Sequence, residues 1–306
     1  MIECTVQKES IMKRRILITG ATSGIGLEVA KALVNEDVQL ILGCRNLKKA
    51  DEIWGQVRPI GGAKIEIFEL DLSSFESIDK FSLEVEKSVS GLDVLVNNAG
   101  LYMDHAKKTH EGFEMTIGVN HIGSHYLTHK MIPLLLKGES PQILNVCSKA
   151  AYYGKVVKRD DFFQNHPFGF KAYSTSKLLQ LMVTMELAKQ LKPDGISVNA
   201  IHPGGVNTNI FRGDTLIMKI VRKTNQKFTI SAHEAAKSVL TFIQDEKKWK
   251  ITGGFFEKDA IKINVNPRLI DPVSCEEWVK RTEDAILAKA SPKKPKMFKL
   301  GERPEV

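Results

Sequence analysis

The chain has 306 residues, 42% of them hydrophobic and 26% charged, with a formal net charge of +8 at pH 7. That length suits one large α/β domain or two small ones, with enough apolar material for a sizeable core. No apolar run is long enough to span a bilayer, the opening MIECTVQKES lacks a secretory pattern, and Cys4, Cys44, Cys147 and Cys275 are scattered without paired spacing, which argues against a transmembrane segment, a disulfide framework and a structural zinc site.

Residues 1–13 read as an extension ahead of the first strand, RRILIT, which runs straight into TGATSGIG and a helical pattern, GIGLEVAKALVNE. Gly20, Gly24 and Gly26 at such a turn let the backbone bend sharply and approach a pyrophosphate at the positive end of the helix. Their spacing, Gly-x-x-x-Gly-x-Gly, differs from the common dinucleotide fingerprint. The second strand, VQLILG, ends in Cys44-Arg45-Asn46. An enzyme that prefers NAD places an acid near this point for the ribose hydroxyl. Arg45 stands there instead, and its fork of donors suits a 2′-phosphate, so the expected cofactor is NADP(H).

The third strand, KIEIFEL, leads through DLSS into the helix SFESIDKFSLEVEKSV, and the fourth, LDVLVN, leads into NNAG. Next comes a long helical stretch, MTIGVNHIGSHYLTHKMIPLLL, with His121, His125 and His129 at i, i+4 and i+8. Two histidines one turn apart can bind zinc, but the Glu that follows the first His in the zincin pattern is missing, so no metal is expected. The fifth strand, QILNVCS, precedes the helix AYSTSKLLQLMVTMELAKQL. Here Tyr173 and Lys177 stand four residues apart and share one helical face. ISVNAI and GGFFE supply two more strands, and SCEEWVKRTEDAILAKA reads as a C-terminal helix. Strands alternating with helices indicate a mostly parallel seven-stranded sheet covered on both faces, a single doubly wound Rossmann-type domain over residues 14–290. The Lys- and Pro-rich tail 291–306 is expected to be disordered. Neither it nor the basic stretch FRGDTLIMKIVRKTNQKF accompanies a nucleic-acid-binding motif. Nucleic acid is therefore not expected as a partner, while weak contact with an anionic lipid surface stays open.

TGATSGIG, NNAG at 97–100, Asn120, Ser148 and YSTSK together resemble the short-chain dehydrogenase/reductase family from about residue 14 to about residue 260. GCRN, DLSS, VNHIG, IHPG and the extra segment YYGKVVKRDDFFQNHPFGF are most similar to its retinol-dehydrogenase-like members. The resemblance implies catalytic roles for Asn120, Ser148, Tyr173 and Lys177. Tyr173 would exchange a proton with a carbonyl oxygen that Ser148 holds, and Lys177 would lower the phenol's pKa and contact the nicotinamide ribose. Asn120 would connect Lys177 to solvent through water. The implied cofactor contacts are Gly20, Thr22, Ser23, Gly24, Ile25, Gly26, Arg45, Asp71 at the adenine, Leu72, Asn98, Ala99, Gly100, Tyr173, Lys177, Pro203, Gly204, Val206 and Thr208. The segment HPGGVNT departs from the family's pattern in its second glycine and in Asn207, which loosens the placement of the substrate wall.

A mobile apolar lid is implied for residues 209–228, and with NADP(H) it suggests a lipophilic carbonyl or alcohol such as a retinoid, steroid, prenyl or aromatic aldehyde or ketone. The alternative is a catalytically silent NADPH-binding regulatory protein of the same fold. The family also implies a homodimer through the helices that carry Asn120 and Tyr173. A cytoplasmic location with peripheral membrane association left open completes the expectations.

Overall fold

A computed structural model describes residues 13–59, 61–205 and 230–290. The N-terminal residues 1–12, Val206, Thr208, the expected lid and the basic tail lie outside these residues.

Eight strands form one sheet: β1 (Arg14–Thr19), β2 (Val38–Cys44), β3 (Lys64–Glu69), β4 (Val94–Asn97), β5 (Gln142–Val146), β6 (Ser197–Ile201), β7 (Gly254–Glu257) and β8 (Ile261–Lys262). Their order is β3-β2-β1-β4-β5-β6-β7-β8. The first seven run parallel, and β8 is an added two-residue antiparallel edge, too short to announce itself by alternation. Strands β4, β5 and β6 are buried along their whole length, whereas the edge strand β3 is half-exposed. Continuous apolar runs in the middle and alternation at the edge follow from covering both faces of a parallel sheet.

Helices α1 (Gly24–Leu33), α2 (Leu47–Trp54) and α6 (Ala232–Gln244) cover one face; α3 (Phe75–Ser88), α4, α5 (Phe170–Gln190) and α7 (Pro272–Leu287) belong to the other. The helix α4 starts at Met115–Ile117, widens into a π-helical segment at Gly118–Gly123 and continues as Ser124–Leu135. Helices α2 and α6 were not among the elements expected from the sequence.

Helix α7 and the segment before α5 close over α4. Trp278 packs against Phe162 and Phe163 with ring centroids 4.8 and 6.1 Å apart, and Phe163 stacks on His121 at 6.1 Å. Within Ser124–Leu135 every residue except Pro133 is buried in the single chain. On this side α4 packs against the chain's own insertion and C-terminal helix. Among the described residues, no helix is long and apolar enough to cross a membrane.

Candidate active site

The strand order reverses between β1 and β4, and the turns after β1 to β6 all open at the carboxyl edge of the sheet. Ligands of doubly wound sheets bind in the crevice at this switch point. The glycine turn follows β1, Arg45 follows β2, Asp71 follows β3, Asn98–Gly100 follow β4, Ser148 follows β5, and Pro203 and Gly204 follow β6. The sequence-predicted residues within the described parts therefore converge on one edge, although they come from six separate turns and from helices α4 and α5.

In the first turn Gly20 and Gly24 have φ of +74° and +59°, which side chains with a Cβ rarely adopt. Ser23 stands at the N-cap of α1 in extended conformation, but its side chain makes no capping bond, so the first amides of α1 stay open to an anion. A Cβ on Gly26 would lie 2.3 Å from Asn98 Nδ2 and 2.7 Å from the Gly20 carbonyl oxygen. Thr22 is half-buried, while Ile25 is only 6% exposed and packs in the core, so its route to a cofactor is the main chain. Arg45 is exposed. Asp71 Oδ1 accepts bonds from the Ser73 amide (2.9 Å) and hydroxyl (2.7 Å), while Ser74 caps α3; Leu72 packs in the core.

Beyond β4, Thr19 is the organising residue that the sequence reading missed. Its hydroxyl accepts from the amides of Asn98 (3.0 Å) and Ala99 (2.9 Å), and Asn98 Nδ2 donates to the Thr19 carbonyl at 2.8 Å. The Asn98 side chain is thus used to bind two strand ends together. At Gly204, φ is +97°, and an added Cβ would meet Ile230 Cδ1 at 2.7 Å.

Around the reacting end, Asn120 sits in the π segment of α4, fully buried. Its Oδ1 accepts from the Leu101 amide (2.8 Å), and its Nδ2 donates to the Leu101 carbonyl (2.9 Å) and to Ser176 Oγ (3.1 Å). Lys177 is buried and donates to the Val146 carbonyl (2.9 Å) and Gln180 Oε1 (3.0 Å). A Cβ on Gly100 would lie 3.3 Å from Asn120 Oδ1 and 3.9 Å from Lys177 Nζ, so these two groups flank the same small gap. Gln180, three residues past Lys177 on α5, is a second residue that the sequence reading passed over.

Tyr173 is half-buried, its ring 5.9 Å from Lys177 Nζ and 6.0 Å from the ring of Tyr102. Burial pushes its phenol up to about 12, Cys147 adds to the rise, and a hydrogen bond with Ser148 opposes it. Here the structure departs from the expectation of a lowered pKa. The Lys177 ammonium is engaged elsewhere, and burial also draws its own pKa downward. Cys147 is buried with its thiol pushed up, consistent with an inert core residue.

The model of the family described as "short chain dehydrogenase" matches residues 14–216. Human retinol dehydrogenase 14 is 36% identical over 276 residues, covering 84% of this chain and 82% of that protein. Mouse retinol dehydrogenase 14 is 38% identical over 211 residues, covering 65% of this chain and 63% of the relative. Among solved structures, a putative uncharacterized protein from Mycobacterium paratuberculosis superposes with a TM-score of 0.68 at 26% identity, covering 89% of this chain and 92% of its own. An NADPH-bound carbonyl reductase from chicken fatty liver gives 0.64 at 23% identity, covering 83% and 100%. The latter likeness speaks to the fold alone.

Proposed function

This chain belongs to the short-chain dehydrogenase family, and from that premise we propose that it transfers a hydride between NADP(H) and a lipophilic carbonyl or alcohol. The observation that carries the reading is the meeting of Ser148, just after β5, with Tyr173 and Lys177 of α5 at the carboxyl edge of the sheet. Tyr173 donates a proton to the carbonyl oxygen during reduction and accepts one during oxidation. Ser148 holds that oxygen beside the phenol. Lys177 supplies a buried positive charge that stabilises the phenolate as it forms. Asn120 keeps α4 and the Leu101 segment in register with α5.

The cradle fits a dinucleotide. Amides of the Gly20–Gly26 turn would hold the pyrophosphate, Arg45 the 2′-phosphate, Asp71 the adenine and Lys177 the nicotinamide ribose. Bound NADPH supplies the hydride. Support for a lipophilic substrate comes from exposed aromatic side chains in the segment between Ser148 and Tyr173: Tyr153, Phe168 and Phe170 are 70%, 50% and 51% exposed, and the Tyr153 and Phe170 rings lie tilted with centroids 5.9 Å apart. The retinol dehydrogenases among its relatives make a retinoid one member of that class.

The test is consumption of NADPH and of NADH by the purified chain across lipophilic aldehydes and ketones, with Arg45→Asp alongside. Wild type should favour NADPH, and Arg45→Asp should raise the KM for NADPH at least about tenfold, because an acid repels the phosphate that the guanidinium pairs with. Equal use of both cofactors, unchanged in the variant, would contradict the cofactor assignment.

A further inference from the structure

At the side of the sheet, α4 and α7 bring three ligating groups together. His125 and His129 lie one turn apart on α4 and are buried, and α7 sets the half-buried Glu283 against them. The His129 Nε2 atom is 3.0 Å from His125 Nε2 and 3.5 Å from Glu283 Oε1, and the third edge, His125 Nε2 to Glu283 Oε1, is 3.9 Å. A triangle with these edges has a centre about 2.0 Å from every corner, the bond length of zinc to imidazole nitrogen and carboxylate oxygen. We infer that His125, His129 and Glu283 form a site for one divalent transition-metal ion of the zinc class, which pins α7 onto α4.

A direct hydrogen bond between the two imidazoles would also bring their nitrogens to 3.0 Å, and the metal titration below separates the two. That bond places a proton on one Nε2. His125 Nδ1 is buried without a protein partner, and so is Asn97 Oδ1. Both residues line one internal polar cavity with room for a single water. Such a water would accept from His125 Nδ1–H and donate to Asn97 Oδ1, giving the ring the Nδ1–H tautomer whose Nε2 lone pair can bind a metal.

His121 takes no part, since its Nε2 bonds Thr282 Oγ1 at 2.8 Å. A water would complete the coordination.

The test uses the full chain, free of any affinity tag and stripped with a chelator. Titration with Co(II) should give one equivalent bound with the visible absorption of a four-coordinate site, displaced by Zn(II). Glu283→Gln should lose that absorption or weaken Co(II) binding at least tenfold, while the exposed His233→Gln should leave both unchanged. An independent readout on wild type alone is the unfolding temperature, which Zn(II) should raise and equimolar Mg(II) should not. Absence of a visible band, identical Co(II) binding in Glu283→Gln, or no thermal shift with Zn(II) would overturn the site. None of these readouts depends on turnover, so the metal site and the proposed reaction fail separately.

Discussion

Tyr173 illustrates what one side chain can and cannot reveal in a sequence. Its pairing with Lys177 is local, four residues along a helix, and was legible from spacing. The direction of its pKa shift was not, because burial and the hydrogen bonds of Lys177 to Val146 and Gln180 are tertiary facts. That direction has a measurable consequence. A phenol held near 12 is protonated across the neutral range and ready as an acid, but scarce as a base. For carbonyl reduction, kcat/KM should be flat from about pH 6 to about pH 9, while for alcohol oxidation it should rise with pH over the same span. An oxidation profile that levels off below about pH 8 would mean the phenol titrates far lower than its surroundings dictate.

At the scale of elements, the first βα turn was legible because glycines mark it directly. The partner that makes Gly26 indispensable was not: Asn98 follows β4, far along the chain, and Thr19 holds it in place. Gly26→Ala would drive a methyl into Asn98 and the Gly20 carbonyl, neither free to retreat. We expect a loss of about 1–3 kcal/mol in chemical denaturation, the usual range for overpacking, and at least tenfold weaker NADPH binding by titration. Unchanged stability and binding would mean that the turn is looser than its contacts indicate. Helix α2 escaped the sequence reading because it is only eight residues long and strongly polar on its outer face. Strand β8 escaped it because a two-residue edge has no period to detect.

Across the whole molecule, the seven parallel strands and the carboxyl-edge site follow from βα alternation, so the architecture was legible without any long-range information. Packing between distant segments was not. Trp278 lies far beyond Phe162 and Phe163, and Glu283 reaches the histidines of α4 from near the end of the described chain; no local pattern announces either meeting. This closure has a consequence for assembly. With α4 covered inside one chain, sedimentation should return the mass of a monomer at micromolar concentration. A stable dimer would require a different face, or displacement of α7 from α4.

The most direct test of the account compares wild type with Tyr173→Phe in NADPH-dependent reduction of one lipophilic aldehyde that wild type turns over, with NADPH binding measured in parallel. In Tyr173→Phe, kcat should fall at least about 100-fold, the lower end of what a positioned general acid contributes, with binding retained. A variant that turns over at the wild-type rate would show that Tyr173 is not the proton donor and that the reaction is centred elsewhere.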